Sequence, residues 1–400
     1  MKQECVKPFW RVVAIAYVAF VALGLMDGLL GVAWPFIRAD FGMPVKALGV
    51  LILAGTSGHI VASFANGRLL QIAGIALLLP IAMTLRGVGF FIQAITPWWW
   101  LLVGMGFIGG LGAGLLDAGM NTYAAVRFRP RLLNWLHASF GVGTTLGSLL
   151  MTVLLDWALS WRVGLGLLAA VHLGLFIIFG LTRPYWTLPS EEKQTDTSAA
   201  SQKVRSRDTL KVPMVWLSVA IFALYTGMEL GLGQWSFTVA VESRQIAPTT
   251  AGLWTTLYWG SLTVGRIVFG FVEANTERLL RWVLVLVFAG AGLFALNVSP
   301  FVSLVGLTAV GFGLAPVFPM LIALTPKRIG SSHAPNAIGF QVGAAGIGAA
   351  VLPGLAGLLG DRLGLEMIAF FFVGVAGLLF LLQETAVAKT EKSVKISAEF

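Results

Sequence analysis

Long apolar stretches recur along most of the chain, each broken by a short cluster of proline, charged or turn-forming residues. Inside a stretch the small and polar residues fall three or four positions apart and do not alternate, which is a helical pattern. Many stretches hold 18 or more apolar positions, enough for a helix to cross a hydrocarbon core about 30 Å thick. The short alternating segments of a membrane barrel are missing. The breaks predict twelve spans, at roughly 11–37, 46–66, 72–95, 98–125, 132–155, 161–182, 213–240, 250–272, 279–297, 301–325, 336–359 and 365–383. The predicted fold class is therefore an all-α membrane protein with twelve transmembrane helices. The first stretch is too long for a signal-peptide core and lacks a small-residue cleavage site, so it is expected to stay as the first helix.

One polar stretch is long. Residues 183–212, "RPYWTLPSEEKQTDTSAASQKVRSRDTLKV", read as a linker between six spans and six spans. The expected organisation is an N-terminal bundle over 1–182, this linker, a C-terminal bundle over 213–383 and a tail over 384–400. The halves repeat. "ALGLMDGLLGVAW" (22–34) and "ALYTGMELGLGQW" (223–235) both place Met before an acid with glycines nearby, and Asp27 and Glu229 lie 202 positions apart. Asn134 and Asn336 share that offset, as do Gly141 and Gly343. Two parallel repeats with a site between them is an established plan for secondary transporters.

Composition agrees with the pattern. Of 400 residues, 57% are hydrophobic and 11% charged, against about 25% charged in soluble domains. The net charge of +9 raises the question of nucleic acid, and its distribution answers it. With the N-terminus inside, roughly 20 of the 27 Lys and Arg lie on cytoplasmic segments and about 5 on the other side. That is a membrane-orientation signal, with both termini cytoplasmic, and nucleic-acid binding gains no support. The lone Cys5 excludes an intramolecular disulfide and a cysteine metal site. His59, His172 and His333 are scattered without metal-ligand spacing, and "GGLGAG" (109–114) and "GFGLAP" (311–316) fall inside spans, where they read as helix-packing glycines. No catalytic constellation, metal site or cofactor is expected.

Against this background "GLLDAGMNTYAA" with "NWLHASFGVGTTLGSLL", "APVFPMLIALTPKR" with "NAIGFQVGAAGIGAAVLPGLAGLLG", and "GMELGLGQW" with "LYWGSLTVGR" resemble the major facilitator superfamily over essentially the whole chain. More narrowly they resemble the fucose–proton symporter-like branch of bacterial sugar permeases. The resemblance implies the major facilitator fold, two pseudo-symmetric six-helix bundles. The superfamily's loop signature between helices 2 and 3 is degraded to "GRLLQIAG" (67–74), with Gln71 where an aspartate is usual. Its second-half counterpart "GFVEANTER" (270–278) has Ala274 in place of the acid, with Glu273 or Glu277 as substitutes.

An ionised carboxylate at mid-bilayer costs about 2.5–3.5 kcal/mol, so it is expected to face protein or water. Asp117 shares a helical stripe with Gly110, Gly114 and Asn121, and Asp27 one with Gly24, Gly31 and Trp34. By position the two acids resemble those implicated in proton-coupled transport in the fucose–proton symporter, which implies proton coupling by Asp27 and Asp117. Asn121, one turn on, is expected to hold the neutral Asp117 by a hydrogen bond. Glu229, with Tyr225 and Thr226 one turn away, suits a hydroxyl-rich ligand or a structural hydrogen bond; Gln234 and Trp235 add an amide and a stacking face, or an interfacial anchor. Arg86 on helix 3 is expected to pair with Asp117, or to capture an anionic substrate. His137 reads as a titratable or a structural histidine, Trp254 and Tyr258 as a sugar-stacking or a packing pair, and Gln341 as a cavity amide.

These residues predict a secondary active transporter and not an enzyme, moving a small hydroxylated solute, with a sugar as the first expectation, by proton-coupled symport with alternating access. The alternative is an exporter of amphipathic or anionic compounds. The expected partners are a small-molecule substrate, protons and the lipid bilayer, with a monomer in a bacterial inner membrane.

Overall fold

The computed structural model describes residues 7–128, 130–186, 206–272 and 275–398. Cys5, most of the linker, Glu273 and Ala274 lie outside the described residues, as does the side chain of Asn134. Every regular element described is a helix. In order these are α1 (Lys7–Asp40), α2 (Ala47–Ala73), α3 (Ile75–Ile95), α4 (Trp99–Arg127), α5 (Pro130–Asp156), α6 (Trp161–Leu181), the single turn α7 (Ser206–Thr209), α8 (Pro213–Thr238), α9 (Pro248–Phe269), α10 (Thr276–Leu296), α11 (Pro300–Leu314), α12 (Val317–Ile329), α13 (Ala334–Leu363) and α14 (Glu366–Ala398).

Among the described residues eleven segments are long and apolar enough to cross a membrane, with α11 and α12 forming one of them over Pro300–Ile329. The break between those two falls at Ala315 and Pro316, where a proline removes a backbone donor. The helix α9 is not in that set. Its 22 residues span about 33 Å, but Thr, Ser, Gly, Tyr and Trp dilute its apolar character. Local signals set several ends. Ser160, Asn275 and Ser299 each accept a backbone N–H from the first turn of the following helix, and prolines open α8 and α11. The segment past 383, expected as a tail, is helical where described, because α14 runs on to Ala398.

The chain divides into two compact units, Met1–Asp196 with Ile246–Thr256, and Thr197–Gln245 with Leu257–Phe400. In the first, α1 packs on α5, α2 on α4, and α3 on both α4 and α6. Glycine makes the closest of these approaches possible. A Cβ on Gly24 or Gly28 would strike the carbonyl of Phe140 or Thr144, and one on Gly143 or Gly147 the carbonyl of Val21 or Leu25. Gly110 and Gly114 likewise bring α4 onto the backbone of Gly55 and His59 in α2. This is small-residue packing, the substitute in lipid for a hydrophobic driving force. Residues 183–186 also belong to this unit: Trp186 is fully buried, tilted against Tyr123 and edge-on to Phe179, with its indole N–H on Thr182.

In the second unit α8 packs on α13 and α14, and α10 on α11 and α14. A Cβ on Gly348 would strike the carbonyl of Ala223, and one on Gly227 the carbonyl of Gly348 and the side chain of Leu352. The turn α7 is fastened here by buried Thr209, which contacts His333 Nδ1 at 3.0 Å and accepts from Asn336 at 3.2 Å. At the other end of α8 a π-helical turn, Val239–Ser243, delivers Arg244. That guanidinium donates to both oxygens of Glu366 and to the carbonyl of Phe294, tying α8, α10 and α14 together.

Candidate functional site

Each unit carries a cluster of ionisable side chains inside its spans. In the first, Gly114 seats α4 directly on the backbone of His59. One turn of α4 later Asp117 Oδ2 lies 3.6 Å from His59 Nε2. Asn121 Nδ2 donates to Asp117 Oδ1 at 2.9 Å, as the four-residue spacing predicts. The side chains of His59 and Asp117 keep 38% and 33% of their exposure, so neither is sealed within the helix packing.

Arg86 is elsewhere. It is buried at 4% exposure, where α3 meets α1, α4 and α6. Gly112 of α4 packs on its stem, its Nε donates to His172 Nε2 at 2.9 Å, and its Nη2 reaches the Leu23 carbonyl at 3.3 Å. Its guanidinium also lies over the Phe90 ring, 5.1 Å from the centroid. Because Nε2 accepts from arginine, His172 is neutral with its proton on Nδ1, which donates to the Leu168 carbonyl at 2.8 Å. The expected Arg86–Asp117 ion pair is therefore corrected: Asp117 goes to His59 and Asn121, Arg86 to His172 and backbone. The carboxylate whose field acts on Arg86 is Asp27 of α1. Sequence depth alone placed Arg86 and Asp117 level with one another, but Asp117 is directed to His59 of α2 and Arg86 to His172 of α6.

In the second unit Glu229 is the hub. It is buried, and its Oε1 accepts from Arg266 Nη2 at 2.9 Å. Its Oε2 accepts from the hydroxyl of Tyr225, one turn earlier on α8. Its backbone carbonyl accepts from the Tyr258 hydroxyl at 2.7 Å. Both carboxylate oxygens are thus engaged inside the unit. Beside them the hydroxyl of Thr226 is buried without a partner.

The other sequence-predicted residues divide. Tyr258 joins the Glu229 cluster through its hydroxyl, its ring edge-on to Trp259 at 5.2 Å. Trp254 and Gln234 are buried. Gln341 is 1% exposed and its amide oxygen accepts from Thr325 at 3.1 Å, so it is committed to packing α12 on α13. His137 is exposed and edge-on to Phe20 at 5.9 Å. Trp235 is neither a stacking face nor an interfacial anchor. It is fully buried and donates to the Pro353 carbonyl at 2.9 Å. Glu277, one of the two substitutes for the missing loop acid, holds Lys327 at 3.1 Å.

Three functional candidates escaped sequence reading: Arg266, His59 and His172. Arg266 is the single Lys or Arg between Arg244 and Arg278. A buried acid one helix earlier required a cation, which was the available signal, and Arg266 lies inside the predicted span 250–272. The histidines lack metal-ligand spacing, and their partners are acids and a guanidinium. Among the described residues no three His, Cys, Asp or Glu side chains gather as a metal site.

The description Major Facilitator Superfamily matches residues 16–334 and, again, 230–397. The chain belongs to the major facilitator superfamily. It is 23% identical over 388 residues to "Bypass of stop codon protein 6" of Saccharomyces cerevisiae, covering 88% of this chain and 77% of that protein. It is 22% identical over 354 residues to "Glucose/mannose transporter GlcP" of Bacillus subtilis, covering 85% and 86%. Among solved structures, the nucleoside transporter NupG superposes with a TM-score of 0.76 at 14% identity over 93% of this chain and 98% of that one. The E. coli fucose:proton symporter FucP superposes at 0.64 and 16%, over 95% and 98%. These likenesses establish the fold. As a member of this superfamily the chain is a multi-pass membrane transporter of small molecules and not an enzyme.

Proposed function

We propose that this superfamily member is a proton-coupled symporter of a small hydroxylated solute, a sugar first. The observation that carries the reading is the Asp117–His59–Asn121 group, a partly exposed titratable pair inside two packed spans. Ionisable side chains in membrane spans mark proton and substrate pathways, and a carboxylate 3.6 Å from an imidazole gives a proton two adjacent residences. Asp27, beside the Arg86 charge, is the second coupling acid. Protonation of Asp117 removes its charge when the cavity closes around solute, and release on the far side restores it.

In the second unit Glu229 with Tyr225 and Tyr258 is the candidate solute-binding group. Arg266 holds the carboxylate until solute hydroxyls compete for it. On this reading α9 is the twelfth span, two six-span bundles alternate access between the two sides of a bacterial inner membrane, both termini are cytoplasmic, and one chain suffices. The sugar assignment draws support from the resemblance to the fucose–proton symporter branch and from the name of GlcP; the nucleoside transporter fold neighbour offers a second class of hydroxylated solute. Anion export through Arg86 is disfavoured, since that guanidinium is buried and occupied by His172.

A thermal-shift screen of the purified chain tests the class, because a ligand that binds the folded state raises its melting temperature. Monosaccharides are expected to stabilise it. Stabilisation by nucleosides alone, or by organic anions alone, replaces the sugar reading.

A further inference from the structure

The late part of α14, the end of α12 and the start of α8 border an open cavity of about 290 Å³ in the second unit. Val212, Pro213 and Met214 line one part of it, and Lys327, Arg328 and Lys389 another. Three cations border a small space that the transport reading leaves without a role.

Their counter-charges are unevenly supplied. Lys327 holds Glu277 at 3.1 Å. Nearby, Arg281 occupies both oxygens of Glu384 at 2.9 and 2.6 Å, and the charge of Glu391 also acts on Arg281. Arg328 feels the field of the same Glu277 but pairs with no carboxylate among the described residues. Its Nη1 donates to Gln383 Oε1 at 3.0 Å, while Nε and Nη2 are buried without an acceptor. Lys389 is exposed and belongs to no ion pair among the described residues. Among the described residues, a half-buried guanidinium with two unmet donors beside an exposed ammonium is an incomplete site.

We propose that this cavity binds a phosphate group. A guanidinium fork matches phosphate oxygens in a bidentate way, and the three cations that line the cavity exceed what Glu277 alone neutralises. The phosphate has two possible sources. One is the headgroup of an anionic phospholipid, with its glycerol end against Val212, Pro213 and Met214, since basic pockets between membrane helices hold such headgroups. The other is free phosphate.

The test uses the full chain in neutral detergent and reads its melting temperature. One arm compares sodium phosphate with sodium chloride at matched ionic strength, the other phosphatidylglycerol with phosphatidylcholine. A rise with phosphatidylglycerol alone assigns the site to a lipid headgroup, and a rise with inorganic phosphate assigns it to the phosphate group itself. Lys389→Gln, at an exposed position that leaves the fold intact, should raise the half-saturating concentration about five-fold, and Arg328→Gln should abolish the response. No rise in either arm overturns the proposal. So does a response with the unchanged concentration dependence in both variants.

Discussion

At the residue scale, the guanidinium groups of buried Arg86 and half-buried Arg266 each give a paired-variant prediction. Arg86→Met removes the donor to His172 Nε2 and to the Leu23 carbonyl, and withdraws the cation acting on Asp27. Leaving one member of a buried charge group unmatched costs about 3–5 kcal/mol, so the melting temperature should fall sharply. Adding Asp27→Asn should recover part of that loss, and adding Asp117→Asn should recover none. Equal rescue by Asp117→Asn would show that Arg86 and Asp117 are coupled after all. Glu229→Gln should destabilise in the same way, because it strands Arg266, and Glu229→Gln with Arg266→Met should restore much of the stability without restoring solute binding. Loss of binding in a stable double variant separates a solute contact from a purely structural ion pair. Of these groups the sequence revealed the acids, Arg86 and the same-helix neighbours Asn121 and Tyr225, and not which cation on another helix lies beside which acid. A carboxylate in an apolar run is conspicuous by its cost, whereas its partner is chosen by the rotational setting of two helices, which no single helix encodes.

At the element scale, helix pairs approach through glycine. Gly348 of α13 faces the carbonyl of Ala223 in α8, and a side chain there has no space. Gly348→Val should therefore push the two helices apart and destabilise by about 1–3 kcal/mol or more, seen as lower melting temperature and poor recovery of folded protein. Gly343, on the same helix, has nothing within 4 Å of a Cβ position, so Gly343→Ala should melt at the same temperature or slightly higher. If both substitutions behave alike, close approach at Gly348 does not hold this pair together. The Gly110–Gly114–Asp117–Asn121 stripe was legible from spacing alone, and its glycines do seat α4 on α2. The π-helical turn before Arg244 and the break at Pro316 were less legible. The first aims Arg244 at Glu366 on another helix, and the second lies in a segment whose hydropathy continues unbroken through it.

For the whole molecule, an apolar period and a long polar linker were enough to read helical membrane architecture, since bilayer thickness imposes itself on every span. The helix α9 shows where that reading thins: its polar positions serve contacts such as Tyr258 and Arg266 to Glu229 at the expense of hydropathy. The central claim, proton-coupled uptake of a sugar through Asp117, is tested most directly in sealed liposomes containing the purified chain. Radiolabelled monosaccharide uptake is followed with an acid-outside gradient, with a sodium gradient, and with equal internal and external pools, for the wild type and Asp117→Asn. The account predicts that the wild type concentrates a monosaccharide only while the proton gradient lasts, and that Asp117→Asn exchanges it between equal pools but does not concentrate it. Uphill uptake by Asp117→Asn at the wild-type level, uptake driven by sodium alone, or no monosaccharide movement in the wild type would contradict it.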